Sequence, residues 1–205
     1  MLLSWIASAY LKFVCLTSRT VLRNVGDVPS LQLLREGRPG IFTFWQDRLL
    51  LVLQTISCGP IALMLNTHDR KDWLGSLCRA FGPEVFEISL SNGGRHSLVC
   101  LIDRLKSGRP VALSADGNTG PREESKAGPF ILARETGAPL FPVDAKARWT
   151  ITLKRGDERL LLPLPFNRIE VTFGAPVPLS RHQELSDLKE VKKLLKQSLD
   201  RLTQG

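Results

Sequence analysis

The chain has 205 residues, 43% hydrophobic and 23% charged, which is the balance of one sizeable folded domain and excludes a disordered tail or a fibrous repeat. Lys and Arg number 28 against 20 Asp and Glu, a net charge of +8. The basic residues are spread along the chain without interleaved aromatics, so no nucleic-acid partner is expected, whereas anionic lipid headgroups or phosphorylated small molecules fit.

Cys15, Cys58, Cys78 and Cys100 stand far apart, without a C-x-x-C pair or a histidine at zinc spacing. They read as small buried hydrophobes in a reducing, cytosolic compartment, and no metal site is expected. The histidines are His68, His96 and His182, which makes the search for a general base short.

Residues 1–22 are strongly apolar but interrupted by Lys12 and several Ser and Thr. The run before Thr17 is about 24 Å long as a helix, short of the ~30 Å hydrocarbon core. No positive charge precedes Lys12, so a signal peptide is not indicated. Two readings stand: a helix lying on a membrane, with Trp5 and Tyr10 at headgroup level and Lys12, Arg19 and Arg23 towards phosphate, or a helix packed on the protein's own core. The division expected is a membrane-interface helix over residues 1–24 and an α/β domain over residues 25–205.

From Gly40 the pattern alternates. Ile41–Trp45 reads as a strand, Arg48–Ile56 as a buried helix, and Ile61–Leu65 as a second strand after Gly59-Pro60. Asp69–Phe81 is helical up to Gly82-Pro83, Val85–Leu90 is a strand, and after Gly93-Gly94 a helix with Leu98, Leu101, Ile102 and Leu105 runs to Gly108. Pro110–Ala115 is a fourth strand, Phe130–Glu135 a short helix and Leu140–Val143 a strand. Trp149–Leu153 and Ile169–Phe173 look like strands flanking a turn at Leu162–Pro165, and Leu185–Leu202 is a basic amphipathic helix. Regular β-then-α order predicts a single α/β domain with a mostly parallel sheet flanked by helices, and ligands at the carboxyl ends of its strands.

Polar loops leave those ends: Trp45-Gln46-Asp47-Arg48, then Asn66 to Asp72, then Ser91-Asn92-Gly93-Gly94-Arg95, then Asp116-Gly117 to Arg122. Small residues opening a helix let an anion approach backbone N–H groups.

The order FWQDRLL, NTHDRKDW, FG, SNGGRHSL, ALSADGNTGPR, GAPLFPV and PLPF, from about Gly37 to Leu179, resembles the lysophospholipid acyltransferase-like superfamily. It is nearest to a bacterial branch long known as a domain of unknown function. The resemblance implies an acyltransferase-like α/β fold at the cytoplasmic face of the inner membrane. It also implies transfer of an acyl chain from a coenzyme A or acyl-carrier thioester to a hydroxyl of a lysolipid-like acceptor. A histidine serves as base, basic and glycine-rich loops hold a phosphate, and no cofactor is needed beyond the acyl donor.

The chain departs from that pattern in places. Trp45-Gln46 stands where the branch has Trp-His, and Gln has no titratable nitrogen, so it can position a hydroxyl but not take its proton. Asn118-Thr119 replaces Pro-Arg, while Arg122 matches a later Arg. His68 matches a histidine of the branch, and Asp72 takes the place of its Glu. On a helix His68 and Asp72 share a face, so Asp72 can orient and charge-stabilise the imidazole; the alternative is a cap and a solvated charge.

The candidate catalytic residues are therefore His68, Asp72 and Gln46, and the candidate substrate-binding residues Arg48, Arg95, Asp116, Gly117 and Arg122. Arg48 either meets an anion of the substrate or pairs with Asp47, and Gly117 either shapes a phosphate loop or is a plain turn glycine. A catalytically weakened relative that binds a lipid or phosphorylated ligand without turnover is the other reading.

Overall fold

Glycine and proline punctuate the sequence into short strands and helices. The computed structural model describes residues 2–25, 30–57, 59–66, 73–88, 95–117, 123–155, 158–179 and 188–204. In chain order they form α1 (Leu2–Thr17), β1 (Arg19–Asn24), α2 (Ser30–Arg35) and β2 (Ile41–Phe44), then a 3₁₀ turn (Gln46–Arg48) leading into α3 (Leu49–Ile56). There follow β3 (Ala62–Asn66), α4 (Trp73–Arg79), β4 (Glu84–Ile88), α5 (Arg95–Lys106), β5 (Val111–Ser114) and α6 (Gly128–Thr136). The last elements are β6 (Leu140–Ala147), β7 (Thr150–Arg155), β8 (Glu158–Pro163), β9 (Arg168–Phe173) and α7 (Leu188–Gln204).

The described strands make one seven-stranded sheet, in the order β1-β9-β6-β2-β5-β3-β4, and a separate β7–β8 hairpin. Strands β2 to β6 run parallel, joined by helical crossovers. β9 lies antiparallel to β6, and β1 parallel to β9. The protein is thus a single-domain α/β fold with a mostly parallel central sheet flanked by helices, as the alternation predicts.

Burial follows from the strand compositions. All four residues of β2 are buried at the middle of the sheet, as parallel strands covered on both faces require. Phe42 stacks on Phe141 with ring centroids 5.4 Å apart and meets Phe173 edge-on at 6.1 Å. Every residue of α3 except Gln54 is buried, because the β7–β8 hairpin covers it with Leu160 and Leu161. On the opposite face α7 presents Val191, Leu195 and Leu199 to the core beside Leu140.

Two elements differ from the sequence reading. The N-terminal helix stops at Thr17, and Arg19–Asn24 extends as β1 instead. Its β-branched Thr20 and Val21 suit a strand, and all six residues find partners on β9, which a continued helix would forgo. Leu162 and Pro163 belong to a strand and not to a turn: Pro163 ends β8 opposite Thr150, a strand terminus where proline is tolerated.

Helix α1 packs one face on the core through Leu11 and Val14 and leaves Trp5, Ile6, Phe13 and Leu16 exposed. Tyr10 is half-buried, its hydroxyl donating to the Pro163 carbonyl at 3.0 Å, and Arg23 pairs with Glu170 at 2.8 Å. Cys78 is buried, whereas Cys15 and Cys100 are only half-buried. No helix among the described residues is long and apolar enough to cross a membrane.

Candidate functional site

Parallel pairing sets the carboxyl ends of β2, β5, β3 and β4 along one edge of the sheet, with Phe44 beside Ser114 and Asn66 beside Ile88. The chain therefore leaves from this edge into Gln46, into residues 67–72, into residues 89–94 and into Asp116. Three of the four polar loops named from sequence start next to one another, and the fourth starts one strand further out.

The β2 and β5 exits are locked together. Ala115 N–H donates to the Phe44 carbonyl at 2.8 Å, and Gln46 N–H donates to Oδ1 of Asp116 at 2.9 Å. The other oxygen, Oδ2, accepts from Glu123 N–H at 3.4 Å. Asp116 is buried, and desolvation raises its carboxyl above the ordinary aspartate value even though three backbone N–H groups, those of Gln46 and Glu123 among them, favour the charge. Its carboxylate thus braces both ends of the loop that follows β5. Gly117 begins that loop at φ +59, a left-handed conformation that glycine adopts without penalty.

Arg48 lies beside carboxylates. Its Nε is 3.3 Å from Oδ1 of Asp144 and its Nη1 is 3.7 Å from Oδ2 of Asp47. Asp144, on β6, is 2% exposed, and burial raises its carboxyl despite the Arg48 charge. Oδ2 of Asp144 and Oδ1 of Asp47 are buried without a hydrogen-bond partner among the described residues. The pair with Asp47 foreseen as one alternative for Arg48 is present, and the stronger attachment is to Asp144.

Trp45 is buried at the end of β2, and Nζ of Lys196 on α7 sits 5.6 Å from its ring centroid. The same ammonium donates to the Glu123 carbonyl at 2.8 Å and lies 3.4 Å from Asp200. The C-terminal helix is thereby tied to the loop that Asp116 braces.

Of the residues named from sequence, the structure brings Gln46, Arg48, Asp116 and Gly117 to one sheet edge. His68, Asp72 and Arg122 lie outside the described residues, as does His182. Arg95 is the first residue of α5, and its side chain too lies outside what is described. His96 is exposed, with Nε2 3.9 Å from the Cys100 sulfur, in keeping with a surface residue. Sequence reasoning missed Asp144 and Lys196. A single acid inside the apolar run LFPVDA is a signal for a paired buried charge, whereas nothing local marks Lys196 among the lysines of α7.

An apolar cavity of about 360 Å³ lies between α1, α3, α4 and the hairpin, lined by Ile6, Tyr10, Leu50, Trp73, Leu153 and Leu162 among others.

No family model matches the chain. An uncharacterized protein of Rickettsia prowazekii (strain Madrid E) is 26% identical over 171 residues, which cover 83% of this chain and 78% of that protein. Among solved structures, the 1-acyl-sn-glycerophosphate (LPA) acyltransferase PlsC from Thermotoga maritima is similar with a TM-score of 0.58 and 18% identity, over 98% of this chain and 79% of that one. At that identity the likeness is one of architecture: the chain has an acyltransferase-like α/β fold.

Proposed function

We propose that the protein is a peripheral membrane O-acyltransferase, moving an acyl chain from an acyl-CoA or acyl-carrier thioester to a hydroxyl of a lysolipid-like acceptor. The observation that carries this reading is the joined exit of β2 and β5 through Gln46 and Asp116, set in a fold shared with a lysophosphatidic acid acyltransferase. Ligands of open parallel sheets bind at that edge. The apolar cavity beside α1 is a space of the right chemistry for an acyl chain.

In the reaction the acceptor oxygen attacks the thioester carbonyl, a C–O bond forms and the C–S bond breaks. The hydroxyl proton passes through a base to the leaving thiolate. His68 is the base and Asp72 orients it, while Gln46 positions the hydroxyl. Arg95, Arg122 and the loop from Gly117 hold the acceptor phosphate, and Arg48, through Asp47 and Asp144, fixes the β2 exit. The work is done at the cytoplasmic face of the inner membrane, the exposed stripe of α1 lying against lipid. The acyl donor is a substrate, and the reaction calls for no resident cofactor.

One observation favours a second reading, ligand binding without turnover: the residue after Trp45 is Gln46, whose amide cannot take a proton at the strand end where the resemblance places the base. An assay of thiol release and acylated product, over a panel of lysolipid acceptors with both donor types, separates the two. For an enzyme, His68→Ala removes about 10²–10⁴ of the rate and Asp72→Asn less. For a binder, wild type shows no turnover, His68→Ala changes nothing and Gln46→His raises activity. Turnover that survives His68→Ala in full overturns the assignment of the base.

A further inference from the structure

Three segments distant in sequence meet at one buried amide. Asn167, 4% exposed, accepts the Trp149 N–H at Oδ1 (3.2 Å) and donates from Nδ2 to the Trp149 carbonyl (2.6 Å). Its own N–H donates to Ser18 Oγ at 3.1 Å, and its carbonyl accepts the Arg19 N–H at 2.8 Å. The junctions α1–β1, β6–β7 and β8–β9 are therefore held in fixed relation.

Around this pin the chain shows large apolar side chains to solvent: Leu16 is 87% exposed, Phe166 72% and Trp149 47%. The Phe166 ring meets Phe13 edge-on, centroids 6.2 Å apart, and its N–H donates to Thr17 Oγ1 at 3.3 Å. Phe13 and Leu16 continue a stripe through Ala9 to Trp5 along the outer face of α1. Phe166 also sits at φ +57, where a bulky side chain is strained and glycine is not. The contact with Phe13 covers only part of the Phe166 ring, which stays largely in solvent on a strained backbone. The charges in these segments are basic, and the neighbouring acid Glu170 is paired with Arg23. Residues 4–19, 146–155 and 163–168 contain no acid and include Lys12, Arg19, Arg148, Lys154 and Arg168, with the Arg148 guanidinium 4.8 Å from the Trp149 ring centroid.

We infer that the outer stripe of α1, Phe166 and Trp149 form one preassembled docking surface, pinned by Asn167, for a bilayer containing anionic phospholipid. Aromatic rings flanked by arginine and lysine match the headgroup–acyl boundary, with rings in the apolar layer and cations at the phosphates. The inference rests on the reading that the protein works at a membrane and is independent of acyl transfer. A protein that binds vesicles but turns nothing over removes the enzymatic reading and leaves this surface standing.

The test is flotation of the full-length protein with phosphatidylcholine vesicles, with and without phosphatidylglycerol, for wild type, Phe166→Gly and Arg148→Gln. Phe166→Gly relieves the backbone, so its thermal midpoint equals or exceeds that of wild type while its vesicle affinity falls about tenfold. Arg148→Gln weakens binding roughly fivefold on anionic vesicles and little on neutral ones. The inference is overturned if both variants float like wild type. It is equally overturned if Phe166→Gly binds less only in proportion to a lowered midpoint, or if it dissolves a dimer present without vesicles, which would assign the face to a second copy.

Discussion

The main-chain N–H of Gln46 and the side-chain Oδ1 of Asp116 lie 2.9 Å apart, joining two strand ends separated by 70 positions. The bond uses the backbone of residue 46, so the frame of the site does not depend on which side chain stands there.

Asp116→Ala leaves the Gln46 and Glu123 N–H groups without their acceptor in a buried place. The expected cost is about 1–3 kcal/mol of folding stability, read from urea denaturation. Asp116→Asn keeps a carbonyl oxygen for Gln46 and costs less. An Ala variant as stable as wild type would remove Asp116 as the brace.

Burial raises the Asp116 carboxyl above the ordinary value of 3.8, so at pH between that value and the raised one the folded state holds a proton that the unfolded chain has released. That contribution to stability is complete below 3.8 and is lost as pH rises through the raised value. Asp116→Asn cannot ionise. Wild type therefore loses stability relative to Asp116→Asn as pH climbs from about 3 towards neutrality. Parallel stability curves for the two proteins would contradict this.

Arg48→Ala takes from the buried Asp144 carboxylate its hydrogen-bonded cation and leaves it only the charge of Lys146 among the described residues. The expected loss at neutral pH is about 3–5 kcal/mol, and adding Asp144→Asn recovers much of it. The loss shrinks on acidification, because the Asp144 carboxyl, already raised by burial, takes up a proton and ceases to need a partner. Denaturation midpoints of the single and double variants at two pH values give the comparison.

Among the described residues Gly117→Ala meets no steric wall: a Cβ there would lie 3.8 Å from the Lys126 side chain, an ordinary contact. The expected cost from φ +59 is about 1–2 kcal/mol, and Gly117→Asn is milder. Calorimetric midpoints of both variants decide it.

The parallel core was legible because β2, β3 and β5 are apolar runs bounded by Gly and Pro, with polar residues where each run stops. β1 escaped notice because Thr20-Val21-Leu22 continues the apolar stretch of α1, and only pairing with β9 makes it a strand. Leu162–Pro165 reads as a turn by its prolines, yet the hairpin register places Pro163 at the strand's end. At the site, Asp116 and Gly117 carried a local turn signature, whereas the Arg48–Asp144 pair spans 96 positions and no local pattern encodes it. Lys196 was hidden for the same reason: its significance is a contact with Trp45 across the whole fold.

The pairing of β1 with β9, Arg19 beside Arg168, has a consequence for biosynthesis. Strand β1 docks on a strand far downstream in the chain, so it leaves the ribosome before its partner has been made. At about 5–20 residues per second β1, with Val21 and Leu22, waits roughly ten seconds or more for β9, while the apolar face of α1 waits for α4. During that interval the nascent segment is available to any hydrophobic surface in reach, a chaperone groove or a bilayer. The order of synthesis thus favours delivery of the growing chain to such a surface before its sheet is complete.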